Sequence, residues 1–331
     1  MNLTSNCRYC TIIHVQLAIK KSRIYLLQQY RADQKERKVG TVRKKRIGDR
    51  REGRRLRTLD PYNAMTPFIM KEKSDASNYF SEVFEVTEVE RFLRKKRSDG
   101  FPGMGMLHLF IAVYIRTAAR YPAINRFCSG QRVYTRENVE FLMTIKKQLR
   151  TDAGETTIKV SFGRDETICD VYNKINREIN KVKNEGAVTS TDNAARLFMK
   201  IPRLLLRFTV AFLELLDYFG KLPKALIDLS PFHGSVIITD LGSIGLPAIY
   251  HHLYNFGNLP VFIALGPKRK VYELGADGKV VLRKYLDCKL VVDERICDGF
   301  YFSQAFKYFK SLLRSPEELD KPPGQVIEDI E

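Results

Sequence analysis

The sequence predicts an α/β protein, on three observations. Short β-branched and aromatic runs that suit strands alternate along the chain with apolar residues at helical spacing. At 331 residues, with 44% hydrophobic and 11% aromatic, the chain can bury a large core as one big domain or two ordinary ones. Near the C-terminus a strand-forming run from Tyr285 to Val292 turns at Asp298-Gly299 into a helical pattern of Phe302, Ala305, Phe306, Phe309, Leu312 and Leu313. Gly299 is expected to take backbone angles that other residues avoid. A strand that turns sharply into a helix fixes its last polar side chains in place, which suits a catalytic group.

The formal charge is +18, but its distribution matters more. Residues 1–57 hold 17 Lys+Arg against 4 Asp+Glu, so the excess sits in a basic N-terminal arm, expected to be poorly ordered. Such an arm admits contact with nucleic acid or an anionic membrane, although a solvated tail is the simpler reading. Its apolar patch, Ile12–Leu27, is interrupted by Lys20, Lys21 and Arg23 and does not suit a transmembrane span. The six cysteines are scattered, which fits reduced thiols in a cytoplasmic protein. Cys7-x-x-Cys10 lacks a second pair at zinc-finger spacing and has only His14 nearby, so no metal site is expected.

Taken in order, Pro67–Lys73 reads as a short helix and Asn78–Val86 as a strand. Thr87-Glu88-Val89-Glu90 has the capping-box spacing and opens a helix to Arg97. Gly100-Phe101-Pro102-Gly103-Met104-Gly105 follows a charged helix rather than a strand and contains Pro, which argues against a nucleotide loop. Met106–Tyr121 is a strongly apolar helix, with His108 near its start as a core, capping or pocket-lining residue. Strands follow at 131–134, 139–146 and 156–162, then an amphipathic helix at 170–183. Ile201–Phe219 is nearly all apolar, yet Arg203, Arg207, Glu214 and Asp217 make a spanning helix unfavourable by about 2.5–3.5 kcal/mol per charge. Burial between subunits or against the domain is expected, with a membrane-surface position as the alternative. Ser230 and His233 form no nucleophile–base motif with a visible third member. A strand at 261–266 and a hairpin turned by Asp277-Gly278 complete the pattern.

Two motifs resemble a known family. Asp293-Glu294-Arg295-Ile296-Cys297-Asp298-Gly299 resembles the C-terminal signature of the acyltransferase (E2) catalytic domains of 2-oxoacid dehydrogenase complexes and of chloramphenicol acetyltransferase. That signature reads His-x-x-x-Asp-Gly, and Glu294 stands at the histidine. Gly234–Gly242 resembles the family's Gly-(Thr/Ser)-x-x-(Ile/Val)-Ser-Asn-Leu-Gly strand and turn, with Thr239 at the oxyanion-binding serine and Asp240 at the asparagine. The resemblance covers 61–315 in element order. It implies an α+β two-layer sandwich, a mixed sheet with covering helices, as a catalytic domain at 58–315. That domain carries a helical insertion at 193–229 and is followed by a tail at 316–331, expected to trail over the surface. No lipoyl domain is recognised, and a freestanding domain is expected.

The resemblance further implies acyl transfer between coenzyme A, as a substrate, and a thiol or hydroxyl acceptor, in a homotrimer with sites between subunits. Glu294 or a nearby histidine, His251 or His252, is then the base, and Thr239 the oxyanion donor. Arg295, Asp298 and Gly299 are structural, Asp298 being held by an arginine. His108 and Asp240 are further pocket candidates. A glutamate, with a reference pKa of about 4.3, is a weak base unless desolvated. The alternative is therefore a CoA- or acyl-binding homologue without turnover, a pseudoenzyme.

Overall fold

A computed structural model describes residues 45–146, 155–184 and 199–331. The Cys7–Cys10 pair, the patch 12–27 and most of the basic arm lie outside the described residues. In chain order the elements are β1 (Arg54–Arg55), α1 (Pro61–Ile69), β2 (Ser77–Glu85), α2 (Thr87–Ser98) and α3 (Met106–Arg120). Then come β3 (Arg126–Ser129), β4 (Arg132–Thr135), β5 (Val139–Lys146), β6 (Glu155–Phe162) and α4 (Ile168–Asn184). The last group is α5 (Arg203–Tyr218), α6 (Lys224–Leu229), β7 (Val236–Asp240), β8 (Val261–Leu274), β9 (Val280–Asp293) and α7 (Gly299–Arg314).

Six strands form a mixed sheet in the order β2-β9-β8-β7-β5-β6, with β5, β7 and β8 parallel and the other pairs antiparallel. A smaller sheet has the order β1-β4-β3. Val236 and Ile238 of β7 point into the main core and Ile237 to the other face, the period-two alternation of a strand. Helix α3 is buried along nearly its whole length between the sheet, α4 and α7, which is why its sequence is apolar on all sides. Phe84, Phe110, Phe306 and Phe309 meet there with ring centroids 5.7–6.0 Å apart. The result is the expected two-layer α+β sandwich. On the opposite face the segment 245–260 crosses the sheet without regular structure, seating Leu253 against Phe262 and Val291 and Tyr250 edge-on to Tyr79.

Several local expectations change. The first helix starts at Pro61 rather than Pro67, because Asp60 caps it by accepting from Tyr62 N–H and Pro61 suits the first turn. The capping box at Thr87 does not form. Thr87 Oγ1 accepts from Lys284 N–H instead, and Glu90 binds Lys268 and Lys284, tying α2 to the β8–β9 pair. Strand β8 runs through Pro267, because a register shift between Leu265 and Lys268 leaves the proline outside the ladder. Gly299 has no left-handed backbone and its Cβ position is open, so the turn does not require glycine. Residues 45–57 join the folded body: β1 pairs with β4, and Arg50 donates to Tyr218 O. The tail is docked rather than trailing. Asp329 is buried against Arg126 at 2.6 and 2.7 Å, Ile327 N–H donates to Ala119 O, and Arg54 donates to the carbonyls of Asp329 and Ile330.

Helix α5 is not buried against the domain, one of the placements expected for it. It has no buried residue. Its attachment is at the C-terminal end, where Tyr218 Oη donates to Gln131 at 2.8 Å and Gly220 adopts positive φ against the Arg50 guanidinium. A Cβ at Gly220 would collide with that guanidinium.

Candidate active site

The motif turn is held from below. At the end of β9 the buried Asp293 carboxylate accepts from Arg295 Nε at 2.8 Å and Nη2 at 2.7 Å, and also from Arg295 N–H at 3.1 Å. Arg295 Nη1 donates to the carbonyls of Met70 and Lys71, so the guanidinium also clamps the loop after α1. A bidentate pair with its remaining donors satisfied is the form in which buried charges are tolerated. Between these two residues Glu294 sits in a single 3-10 turn, its N–H donating to Ala76 O at 2.8 Å. Its side chain is exposed and bonded to no described residue.

Asp298 caps α7, accepting from Tyr301 N–H at 2.8 Å. The expected arginine partner is absent among the described residues. Arg126, the arginine close to this turn, donates to Ile296 O and is otherwise taken by Asp329. Burial pushes the neighbouring Cys297 thiol up to about 12, so it is no nucleophile at neutral pH.

Thr239 lies at the other end of the sheet. It is in register with Ala264 of β8, which is in register with Lys289 of β9, and Glu294 is five residues beyond Lys289. At about 3.3 Å per residue and 4.8 Å per strand spacing, the two residues are roughly 19 Å apart within one chain. One chain therefore does not bring them together. The Thr239 hydroxyl, like the Glu294 carboxylate, bonds to no described residue. Asp240 is spent locally: Oδ1 accepts from Ser243 N–H at 3.1 Å, and partial burial raises its pKa.

Of the three candidate histidines, His108 is buried, His251 half-buried and His252 exposed. His108 is buried, its Nδ1 accepts from Gly105 N–H at 3.2 Å, and burial lowers its pKa to about 4. His251 stacks on Phe262 at 4.2 Å and 12°, with Nε2 enclosed and unbonded among the described residues. His252 lies edge-on to Tyr254. No third member for Ser230 and His233 was visible in the sequence; the fold places Asp217 beside them. His233 Nδ1 is 2.8 Å from Ser230 Oγ and Nε2 is 3.3 Å from the Asp217 carboxylate. His233 is fully buried, its Nε2 makes no hydrogen bond among the described residues, and Ser230 Oγ already accepts from Phe232 N–H, so the trio is not assembled as a working triad. No periodicity linked residues so far apart in sequence.

A cavity of about 420 Å³ lies between α5, the β3–β4 hairpin and the loop after α1. Lys71, Lys73, Arg295, Glu214 and Asp217 are among its lining residues. Lys73 Nζ is spent on the carbonyls of Tyr254, Asn255 and Gly257, and burial lowers its pKa to about 8. Among the described residues no cluster of His, Cys, Asp and Glu is arranged to hold a metal ion, and no helix is long and apolar enough to cross a membrane.

The fold that carries this turn is like that of the E2-type dihydrolipoamide acetyltransferase structures. The dihydrolipoamide acetyltransferase of Azotobacter vinelandii is similar in structure, with a TM-score of 0.51 at 14% identity over 86% of this chain and 99% of that one. In that enzyme a serine and a histidine and an asparagine four positions apart were studied for their part in the catalytic mechanism. A probable dihydrolipoamide acetyltransferase from Listeria monocytogenes gives 0.50 at 14% identity, over 78% of this chain and 95% of that one. A chloramphenicol acetyltransferase gives 0.47 at 13% identity, over 78% and 99%. No family profile and no curated protein matches the sequence.

Proposed function

We propose that this chain transfers an acyl group between coenzyme A and a thiol or hydroxyl acceptor, at a site completed by two copies. The carrying observation is the pair of unspent polar tips. Glu294 stands on a turn clamped by Asp293 and Arg295, and Thr239 ends a strand roughly 19 Å away on the same sheet. A trimer in which the Glu294 end of one copy meets the Thr239 end of the next supplies both to one substrate. The histidine and asparagine studied in the Azotobacter enzyme have the spacing of Glu294 and Asp298, which supports Glu294 as the residue at the base position. His251 is stacked on Phe262 with its Nε2 enclosed, which makes it the weaker candidate for that place.

The division of labour follows from the chemistry. The acceptor loses its proton as its oxygen or sulfur attacks the thioester carbonyl; Glu294 takes that proton and returns it to the departing CoA thiolate. The Thr239 hydroxyl donates to the oxyanion that develops at the same carbonyl. Excluding water between copies raises the basicity of a carboxylate and strengthens the hydroxyl's contact. Arg295 and Asp298 position the turn without touching substrate.

The exposure of Glu294 and the acidic Asp240 beside Thr239 favour a second reading, a CoA- or acyl-binding protein without turnover. Thiol release from acetyl-CoA and longer acyl-CoAs decides between the two. Transfer predicts release by the wild-type protein and a fall of about 10²–10⁴-fold in Glu294→Gln. Binding by calorimetry without release, together with release newly created in Glu294→His, establishes the second reading. Light scattering checks the trimer, and a strict monomer removes the shared site.

A further inference from the structure

Helix α5 carries a surface for which the transfer reaction has no use. Leu204, Phe208, Phe212, Leu215 and Phe219 recur every three or four residues and form one stripe, exposed at 72%, 72%, 58%, 52% and 62%. On the opposite face Leu206, Thr209, Leu213 and Leu216 are only half-buried. An exposed apolar stripe of this length on a helix with no buried residue marks an interaction surface.

The charges around the stripe identify what it meets. Lys200, Arg203 and Arg207 stand exposed at its N-terminal end, and Lys221 and Lys224 just beyond its C-terminal end. Glu214, which also lines the cavity, is the one exposed acid on the helix, since Asp217 turns inward to His233. Cations at both ends of an apolar stripe match a plane of acyl chains bordered by phosphates, whereas a second copy would bring like charges to like. At 16 residues α5 is too short to span a bilayer and is suited to lying along it.

We propose that α5 seats this protein on an anionic lipid surface, with Phe208, Phe212 and Phe219 at the headgroup–acyl boundary and Arg203, Arg207 and Lys221 at the phosphates. This docking is independent of the transfer chemistry and of the residues assigned to it. Net charge adds long-range attraction, so binding weakens as salt rises.

The chain contains no tryptophan, so Phe212→Trp makes a single reporter of the stripe. With the full chain, vesicles of equal parts phosphatidylglycerol and phosphatidylcholine are expected to blue-shift its emission and to sediment the protein, and pure phosphatidylcholine vesicles to do so at least about tenfold more weakly. The double change Phe208→Ser with Phe212→Ser, and separately Arg203→Glu with Arg207→Glu, are each expected to weaken sedimentation by about tenfold or more without altering circular dichroism or elution volume. All four side chains are exposed, so neither pair removes core packing. A reporter emission unchanged by the anionic vesicles overturns the proposal, as does undiminished sedimentation of both variants, which assigns lipid contact to the basic arm. Loss of a higher oligomer in the serine variant, with no sedimentation of the wild type, also overturns it and assigns the stripe to self-association.

Discussion

The turn at 293–299 and helix α5 solve opposite problems with similar residue types. In the turn, Asp293 and Arg295 are buried, paired through two nitrogens and further tied to backbone carbonyls. The residue between them presents its side chain freely to solvent. In α5 the charges stay outside, the apolar side chains join them there, and attachment is confined to the last turn and the residues after it. Rigidity in the first region comes from charge placed inside. Availability in the second comes from apolar area left outside. A functional position is thus marked by what its neighbours are made to do, more than by its own residue type.

The sharpest way to break this contrast is to remove the clamp. Arg295→Ala leaves Asp293 charged and buried, and is expected to cost about 3–5 kcal/mol, read as a shift of the urea midpoint. Replacing two exposed residues of the α5 stripe by serine should leave that midpoint nearly unchanged. A second effect concerns acid. Burial lowers the His108 pKa from 6.5 to about 4, so between those values the unfolded chain holds a proton that the folded chain does not. Stability contributed by the neutral ring is complete above pH 6.5 and is lost as pH falls toward 4, by about 3 kcal/mol in full. His108→Gln should flatten this part of the pH profile in chemical denaturation, while wild-type α5 variants keep it.

Smaller effects test the turn's upper side. Asp298→Ala removes the cap of α7 and is expected to lower stability by about 1 kcal/mol, measured by thermal melting. Restoration by Asp298→Asn or Asp298→Ser would confirm capping as its role and exclude a necessary charge. Glu294→Gln should change stability by less than about 0.5 kcal/mol, because the side chain is exposed and unbonded among the described residues. A larger loss would mean that Glu294 supports the turn and is not merely displayed by it.

Much of this could be read before any coordinates. Strands and helices announced themselves by period, and the turn was marked by Asp298-Gly299 and by the resemblance at 293–299; the Asp293–Arg295 pair that holds it was found only in the fold. Other features depended on distance in sequence. Asp217 reaches His233 only because α5 folds back, and Arg126 meets Asp329 across 203 residues. Thr87-x-x-Glu90 has the spacing of a cap, yet a neighbouring strand offered Lys284 and Lys268 as better partners. The separation of Glu294 from Thr239 needed the strand order, since parallel β7 and antiparallel β9 put their C-terminal ends at opposite edges.

The docking of residues 327–331 bears on how the small sheet is held. Arg54, Arg57, Thr58, Arg116, Arg126 and Arg164 all direct hydrogen bonds toward the segment from Glu318 to Glu331. Displacing that segment would leave the buried Arg126 without its carboxylate, and a buried charge without its partner is strongly destabilising. The segment thus acts as a brace, joining β1, β3 and the end of α3 through Arg54, Arg126 and Ile327.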